Sequence, residues 1–475
     1  MFSLVEVAYM NEILGIADNI MNAALNNNVE QVEIVINNAH IGVARFKDRA
    51  IHQNIEGFRP IGPPHNNFSV KLRVIKDKKL GMATASTINK SSLIKDALKS
   101  AKYGRTFETF ISPKRAPSLS NLYHRDTANL EPEVRIEAVN RIVDYSKDLS
   151  ENIESVGGVL SNMSSKTVLI NSLGLEAKHE FTGSQVIVTA VAEKTGNQGS
   201  GYQRQDSRNF YDLDLENVAE EAATSAISTI GYRKQTIPTG KRTVIFESEA
   251  AAEFLGTLIQ QAFSIERDPR TTSKVPLGEL VLDDMLTVHD NGRNLRTLQA
   301  AAIDGEGTPK MDLCLINNGV PENRCYSRDS AKSNGTFSTG HATSPWTGYF
   351  WTGTGNGSTY TPTNQIIEPG NSSLDELISD TKEGILVRRL RCPAAKGQTI
   401  MPDIIRADTQ ECWRVKNGEV AGPANYIRFT DSLVDTLKDI EIGDSTTVKS
   451  IGSFVIPALK IHSLYISQPS IIMVQ

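Results

Sequence analysis

The sequence has only four cysteines in 475 residues, and no two of them form a CxxC pair. They are Cys314, Cys325, Cys392 and Cys412. This spacing excludes a CxxC redox motif and the usual zinc-finger ligand sets. Few cysteines in a long chain are typical of a reducing compartment. No apolar stretch approaches the roughly 20 residues that cross a bilayer, and the first residues lack the basic region of a signal peptide. We therefore expect a soluble, cytoplasmic protein.

Basic residues are not in excess either. The chain has 50 Lys and Arg against 55 Asp and Glu, which gives a formal charge of −5 at pH 7. A sequence-independent nucleic-acid binder needs a strongly basic surface, so this class is excluded for the protein as a whole, although a local basic patch stays open. The length predicts two or three domains, each able to fold without disulfides or structural metals.

The first half of the chain predicts helices packed on a sheet. Apolar residues recur at helical spacing over 10–27, 91–103, 134–149 and 215–228. Alternating patterns predict strands over 32–36, 41–46, 69–76, 80–87, 155–161, 167–171, 176–192 and 199–205. Asn37-Asn38 and Asp77-Lys78-Lys79 have the length and composition of hairpin turns. The sheet should therefore be largely antiparallel.

The composition changes after residues 236–241, where we place a domain boundary. Residues 1–236 form the predicted amino-terminal domain, and residues 237–475 form a β-rich carboxy-terminal domain, a barrel or a sandwich with long loops. A short strand at 243–246 and a helix at 249–263 open the second domain. The fold class predicted for the chain is α+β.

No catalytic motif stands out from the residues alone. The sequence contains neither HExxH nor GxSxG, and the glycine-rich stretch 353–357 lacks the Lys-Ser/Thr ending of a phosphate loop. Two acidic turns, Asp283-Asp284 and Asp304-Gly-Glu306, have the carboxylates needed for acid–base chemistry or for a hard cation. The same turns serve equally well as caps for backbone amides, and we favour that interpretation.

The order of several short segments nevertheless resembles one family, that of the modulator-of-gyrase proteins TldD and its paralogue TldE, also called PmbA. The similar segments run from residue 32 to residue 471. They are 32–35, 71–76, 80–85, 275–281, 286–290, 303–309, 315–320, 338–341, 369–373, 376–378, 383–387, 417–419, 442–444 and 469–471.

The resemblance implies where a zinc site would lie. In active TldD-type members, a helix early in the carboxy-terminal domain carries His-Glu-x-x-x-His; the two His and a later Cys hold zinc, and the Glu acts as general base. The corresponding positions here are Phe254, Leu255, Gly256, Thr257, Leu258 and Ile259, and the stretch expected to hold the third ligand is 448–453. None of these residues is His, Glu or Cys. The resemblance therefore implies a TldE-type chain with no catalytic residue, metal or other cofactor of its own, and zinc in a TldD-like partner.

The implied function is that of a non-catalytic subunit. Together with a TldD-like catalytic subunit, such a chain forms the chamber in which unfolded or modified peptides are cleaved. An extended peptide can be held there by strand addition to a sheet edge. One alternative is a peptide-binding, chaperone-like homodimer. Another is an autonomous carboxylate-dependent hydrolase, for which the loop candidates are Asp304, Glu306 and His341. We expect no membrane and no nucleic-acid partner, because phosphate contacts require clustered Lys and Arg.

Overall fold

The computed structural model describes residues 4–57, 68–112, 119–231, 235–264, 273–342, 362–390 and 404–468. Its helices are α1 (Leu4–Leu25), α2 (Lys90–Ala101), α3 (Arg125–Ala128), α4 (Pro132–Asp148), α5 (Leu215–Ser228), α6 (Ser248–Phe263), α7 (Arg328–Ser333), α8 (Leu374–Ser379) and α9 (Leu433–Leu437). The first ten strands are β1 (Gln31–Lys47), β2 (Ala50–Glu56), β3 (Phe68–Lys76), β4 (Lys79–Ala85), β5 (Ile153–Asn171), β6 (Glu176–Lys194), β7 (Asn197–Ser207), β8 (Gly240–Phe246), β9 (Val288–Asn291) and β10 (Asp312–Asn317). The remaining strands are β11 (Val320–Pro321), β12 (Gln365–Ile367), β13 (Glu383–Leu390), β14 (Ile404–Lys416), β15 (Glu419–Pro423), β16 (Arg428–Ser432), β17 (Ile440–Ile442), β18 (Lys449–Ile451), β19 (Phe454–Ile456) and β20 (Leu459–Ser467). The α+β class is confirmed.

The strands before residue 208 form one antiparallel sheet. Its order is β4-β3-β1-β5-β6-β7, and β2 pairs with the second half of β1. Even-numbered apolar residues of β1, such as Ile34 and Phe46, point to the face that the helices cover. Odd-numbered Ile41 and Val43 lie on the opposite face, where they pack against residues 298–303 of the carboxy-terminal half. The period-2 pattern of a strand thus positions the two halves against each other.

The predicted hairpin at Asn37-Asn38 is wrong. β1 runs without interruption through both residues and pairs with β5 from Glu33 to Lys47. The Asn37 amide donates to Ser165 Oγ at 3.0 Å and to Thr167 Oγ1 at 2.7 Å on β5. Asparagine is a common turn residue, but here its polar group is satisfied by cross-strand hydroxyls. The hairpin at Asp77 and Lys78 is confirmed, and both residues have positive φ.

The described residues of the carboxy-terminal half form two further sheets. β13, β8, β20, β16 and β14 follow one another, and β13 also pairs with β14, which closes these five strands into a barrel. The second sheet has the order β11-β10-β9-β12-β19-β18. The barrel alternative of the predicted β-rich half is therefore confirmed.

Helix α6 lies between the barrel and the second sheet. It follows β8 directly, packs on β13 of the barrel, and touches β18 and β19 of the second sheet. Its buried apolar residues belong to the same core cluster as those of the barrel strands. This helix therefore occupies the centre of the carboxy-terminal half, so substitutions on it affect both sheets.

Among the described helices, none is both long enough and apolar enough to cross a membrane.

Candidate functional site

The predicted motif positions lie in the middle of α6, and they are packed. Phe254, Leu255, Leu258 and Ile259 are each at most 1% exposed. The ring of Phe254 stacks on Phe246 with centroids 4.6 Å apart. These apolar residues recur at the helical period and therefore form one face of α6. This face packs on the barrel, so the segment is both helical and buried. The side chain of Thr257 is outside the described set.

Gly256 lets α6 approach the second sheet closely. A Cβ atom at this position would lie 2.3 Å from the Phe454 ring. Phe454 follows the stretch 448–453, where the third ligand was predicted, and β18 within that stretch touches α6. The structure thus brings the two predicted ligand segments together. An aromatic ring fills the space over the glycine.

These residues do not fit a zinc ion. A structural or catalytic zinc site needs at least three protein ligands among Cys, His, Asp and Glu. Within the part of the chain that the structure describes, no group of three such residues could hold a metal ion. Cys412 lies in β14, where its Sγ is 3.4 Å from the carbonyl oxygen of Asn425. Cys392 and the glycine-rich stretch 353–357 lie outside the described residues.

The first turns of α6 carry two carboxylates that face the amino-terminal sheet. Glu249 and Glu253 are one turn apart, and burial raises the pKa of both, that of Glu253 to about 7. Glu253 accepts a hydrogen bond from the backbone N–H of Leu390 at 3.0 Å. Opposite them, on β7, Arg204 forms an ion pair with the buried Asp206 at 2.6 Å. Charged groups from both halves therefore meet at this end of the helix.

The raised pKa of Glu253 predicts a pH dependence of stability. Because its folded pKa of about 7 lies above the ordinary 4.5, its share of stability is complete below pH 4.5 and is lost as the pH rises through 7. We expect Glu253→Gln to reduce the loss of unfolding free energy between pH 4.5 and pH 8 by about 2–3 kcal/mol, because glutamine stays neutral and still accepts a hydrogen bond. Urea unfolding at both pH values measures this difference. The exposed Glu419→Gln serves as the control, and an unchanged pH slope in Glu253→Gln would refute the assignment.

The three loop candidates lie in one region. Asp304 is 0% exposed. Its carboxylate accepts hydrogen bonds from the backbone N–H groups of Glu306 and Thr308, both at 2.9 Å, and of Ala342 at 3.0 Å. His341 immediately precedes Ala342, so the turn at 304–308 is tied to the loop that carries His341. Asp304 thus acts as a cap for backbone amides, the interpretation favoured for this acidic turn.

Asp283 has the same kind of role in the other acidic turn. One oxygen of its carboxylate accepts from the backbone N–H of Met285 and the other from that of Ile440, each at 3.0 Å. It therefore links the turn to the strand β17. In both acidic turns, an aspartate carboxylate accepts hydrogen bonds from backbone N–H groups and so stabilises the fold of the carboxy-terminal half.

Asp304→Ala is expected to lower the unfolding free energy by about 2–3 kcal/mol, because three amide groups lose their common acceptor. Glu306→Gln is the matched control on the same turn. The Glu306 carboxylate is partly exposed and accepts from the backbone N–H of Arg328 at 3.1 Å, a bond that glutamine keeps. We expect this control to change stability by less than about 1 kcal/mol. Chemical denaturation measures both, and equal effects would contradict the cap assignment.

A buried polar network around His341 escaped the sequence analysis. Its Nε2 lies 2.9 Å from Oδ1 of Asp290, and both side chains are at most 1% exposed. Oδ2 of Asp290 accepts from the backbone N–H groups of Thr363 and Asn364 at 2.5 and 2.7 Å. The Lys310 ammonium donates to Asn364 Oδ1 at 3.1 Å. The Nδ1 of His341 lies 2.9 Å from Thr339 Oγ1, so both ring nitrogens of His341 are engaged within the part of the chain that the structure describes.

The charge on Asp290 is stabilised within this network. Burial alone would raise its pKa, but the charge and hydrogen bond of His341, the charge of Lys310 and the Asn364 amide together lower it below the ordinary value. In the sequence, the only sign of this network is the pair His289-Asp290, which ends the segment 286–290 of the family resemblance. Nothing in that pattern tells which of the two side chains points inward.

Comparison with known proteins gives the following similarities. The model of the PmbA/TldA metallopeptidase central domain matches residues 125–230, and that of the C-terminal domain of the same family matches residues 239–468. A metalloprotease of Methanocaldococcus jannaschii is 24% identical over 436 residues, which cover 89% of this chain and 91% of that protein. The metalloprotease PmbA of Escherichia coli O157:H7 is 25% identical over 353 residues, 73% of each chain. The crystal structure of TldE from Thermococcus kodakarensis superposes with a TM-score of 0.80 and 20% identity, over 95% of this chain and 100% of that one.

Proposed function

This chain belongs to the PmbA/TldD family of metallopeptidases, and we propose that it is a subunit that lacks the catalytic centre and acts with a TldD-like subunit that has one. The observation that carries this proposal is the packing of α6. The positions at which the zinc ligands were predicted hold Phe254, Leu255, Leu258 and Ile259, all buried in the core. Because these side chains fill the space at the inner face of the helix, no room is left there for a metal ion and a bound water molecule.

The proposed role is to complete the chamber and to hold the peptide while the partner cleaves it. The cleft between the two halves of the chain has a volume of about 770 Å³, which lies in the range of ligand-binding pockets. One wall of the cleft is β7, which among the described strands pairs with β6 alone. Edge strands of this kind can accept an extended peptide through backbone hydrogen bonds, with little dependence on sequence.

The autonomous hydrolase is the weaker interpretation. It needs a free carboxylate, but both oxygens of Asp304 accept backbone hydrogen bonds inside the fold. The partly exposed Glu306 carboxylate accepts from the backbone N–H of Arg328. His341 is closed off by Asp290 in the same way. The groups that would perform the reaction are therefore engaged in holding loops together.

Mixing experiments test the proposal. The chain is purified alone, and a paralogue from the same organism that carries His-Glu-x-x-x-His is purified separately. Cleavage of an unfolded, labelled polypeptide is then followed for each protein and for the mixture. We expect no cleavage by this chain and a clear gain on mixing, together with co-elution of the two chains. Peptide binding without any gain on mixing would instead favour the chaperone-like homodimer, and chelator-resistant cleavage by this chain alone would refute the proposal.

A further inference from the structure

The cleft between the two halves has more acidic than basic residues in its walls. Among the residues that the structure describes, six carboxylates line it against three cations. The carboxylates are Glu220, Glu221, Glu247, Glu249, Asp375 and Glu411; the cations are Arg388, Arg389 and Lys449. The residues come from α5 and β7 on one side and from α6, α8, β13, β14 and β18 on the other. The excess of negative charge is thus shared by both walls.

Two of the cations are already engaged. Arg388 forms an ion pair with Glu247 at 3.0 Å and lies 3.7 Å from Glu411. The guanidinium carbon of Arg389 lies 3.4 Å from the centre of the Tyr202 ring. Lys449, on β18, is exposed. The positive charges of these three residues therefore neutralise only part of the negative charge in the cleft.

Glu249 is the cleft carboxylate with a buried oxygen that lacks a hydrogen bond among the described residues. This oxygen is Oε1. The nearby guanidinium of Arg204 is held by Asp206 through bonds of 3.1 Å to each oxygen. A buried carboxylate oxygen without a partner costs free energy, and a donated hydrogen bond from a cation would recover it. Burial raises the pKa of Glu249, in agreement with this missing partner.

We propose that this cleft binds a cationic segment of an extended peptide, with a lysine or arginine side chain donating to the Glu249 carboxylate. The proposal rests on the proposed peptide-binding role and adds a substrate preference to it. A lysine side chain suits such a cleft, because its long apolar stem can lie along the walls while its ammonium donates at the end. Acidic peptides and nucleic acids are disfavoured by the same carboxylates, since like charges repel in a partly buried site.

The test uses three labelled peptides of equal length that differ only in having Lys, Gln or Glu at the same positions. Fluorescence anisotropy with the isolated full chain measures their affinities. We expect the Lys peptide to bind about tenfold more tightly than the Gln peptide, and the Glu peptide to bind most weakly. The advantage of the Lys peptide should shrink at high salt, because the ions screen the charges at the rim.

Two variants assign the preference to the cleft. Glu249→Gln should weaken binding of the Lys peptide about five- to tenfold and leave the Gln peptide unchanged, whereas Glu419→Gln, outside the cleft, should change neither. Lys449→Glu adds a carboxylate at an exposed position, where folding is not at risk, and should strengthen binding of the Lys peptide. Equal binding of all three peptides, or a Lys-peptide affinity that neither variant changes, overturns the inference. In that case, cleavage on mixing with the paralogue would still support the proposed subunit role. Conversely, a Lys preference without cleavage on mixing would refute only that role.

Discussion

Replacing Phe254 by alanine is expected to lower the unfolding free energy by about 3–5 kcal/mol, the usual cost of emptying a buried aromatic site. Phe254 is 0% exposed, and its ring contacts Phe246 and, edge-on at 5.9 Å, Phe429. The substitution removes these contacts and leaves a cavity between α6 and the barrel. Urea denaturation at neutral pH measures the change.

The matched control is Phe337→Ala. This ring is 90% exposed, so its removal should change the unfolding free energy by less than about 0.5 kcal/mol. If Phe254→Ala were as mild as the control, α6 would not be the central packing element described here, and the argument for a helix without a metal site would lose its basis.

The second large effect is expected at Asp290. We predict that Asp290→Ala costs about 3–5 kcal/mol, because it leaves His341 and two backbone amides buried without their acceptor. Since the network lowers the pKa of Asp290 below 3.8, its contribution is complete above that pH and is lost as the pH falls through the folded-state pKa. Thermal or urea unfolding at pH 7 therefore measures the full effect.

The neighbouring His289→Ala is the control for this prediction. The side chain of His289 is 31% exposed and pairs with Asp312 at the surface, at 3.1 Å. Exposed pairs of this kind contribute about 0–1 kcal/mol. Equal losses of unfolding free energy for the two variants would contradict this prediction. They would show that the buried network around Asp290 adds no more stability than an exposed ion pair.

Much of the fold follows from local patterns. The amphipathic period over 249–263 predicted α6, and the period-2 alternation with charged turn residues predicted β3 and β4 and the hairpin between them. These features are local, because the side chains that define them lie within a few residues of each other. The long alternating run at 176–192 predicted β6 for the same reason.

The failures have a non-local cause. Asn37 has the composition of a turn, and only the hydroxyls of Ser165 and Thr167 on a distant strand make it a strand residue. The partners of Asp290 come from residues 341 and 363–364, so no local pattern could reveal that network. The cleft around Glu249 likewise depends on β7 and α6, which are about 50 residues apart in the sequence and meet only because the two halves pack together.

The two segments at which zinc ligands were predicted show what the sequence can tell and what it cannot. The resemblance placed the two ligand segments near 254–259 and 448–453, and the structure brings α6 and β18 into contact. What the sequence could not tell is how the space between them is filled. Phe454, which lies just past the second segment, covers Gly256.

The metal content of the isolated chain tests the central claim most directly. The chain is purified without chelator, its zinc is determined by mass spectrometry, and the same measurement is made on the co-purified pair with the His-Glu-x-x-x-His paralogue. We predict that zinc and peptidase activity occur only in the pair, and that both are lost when the paralogue's histidines are replaced. Stoichiometric zinc in the isolated chain, together with cleavage that a chelator abolishes, would contradict the account.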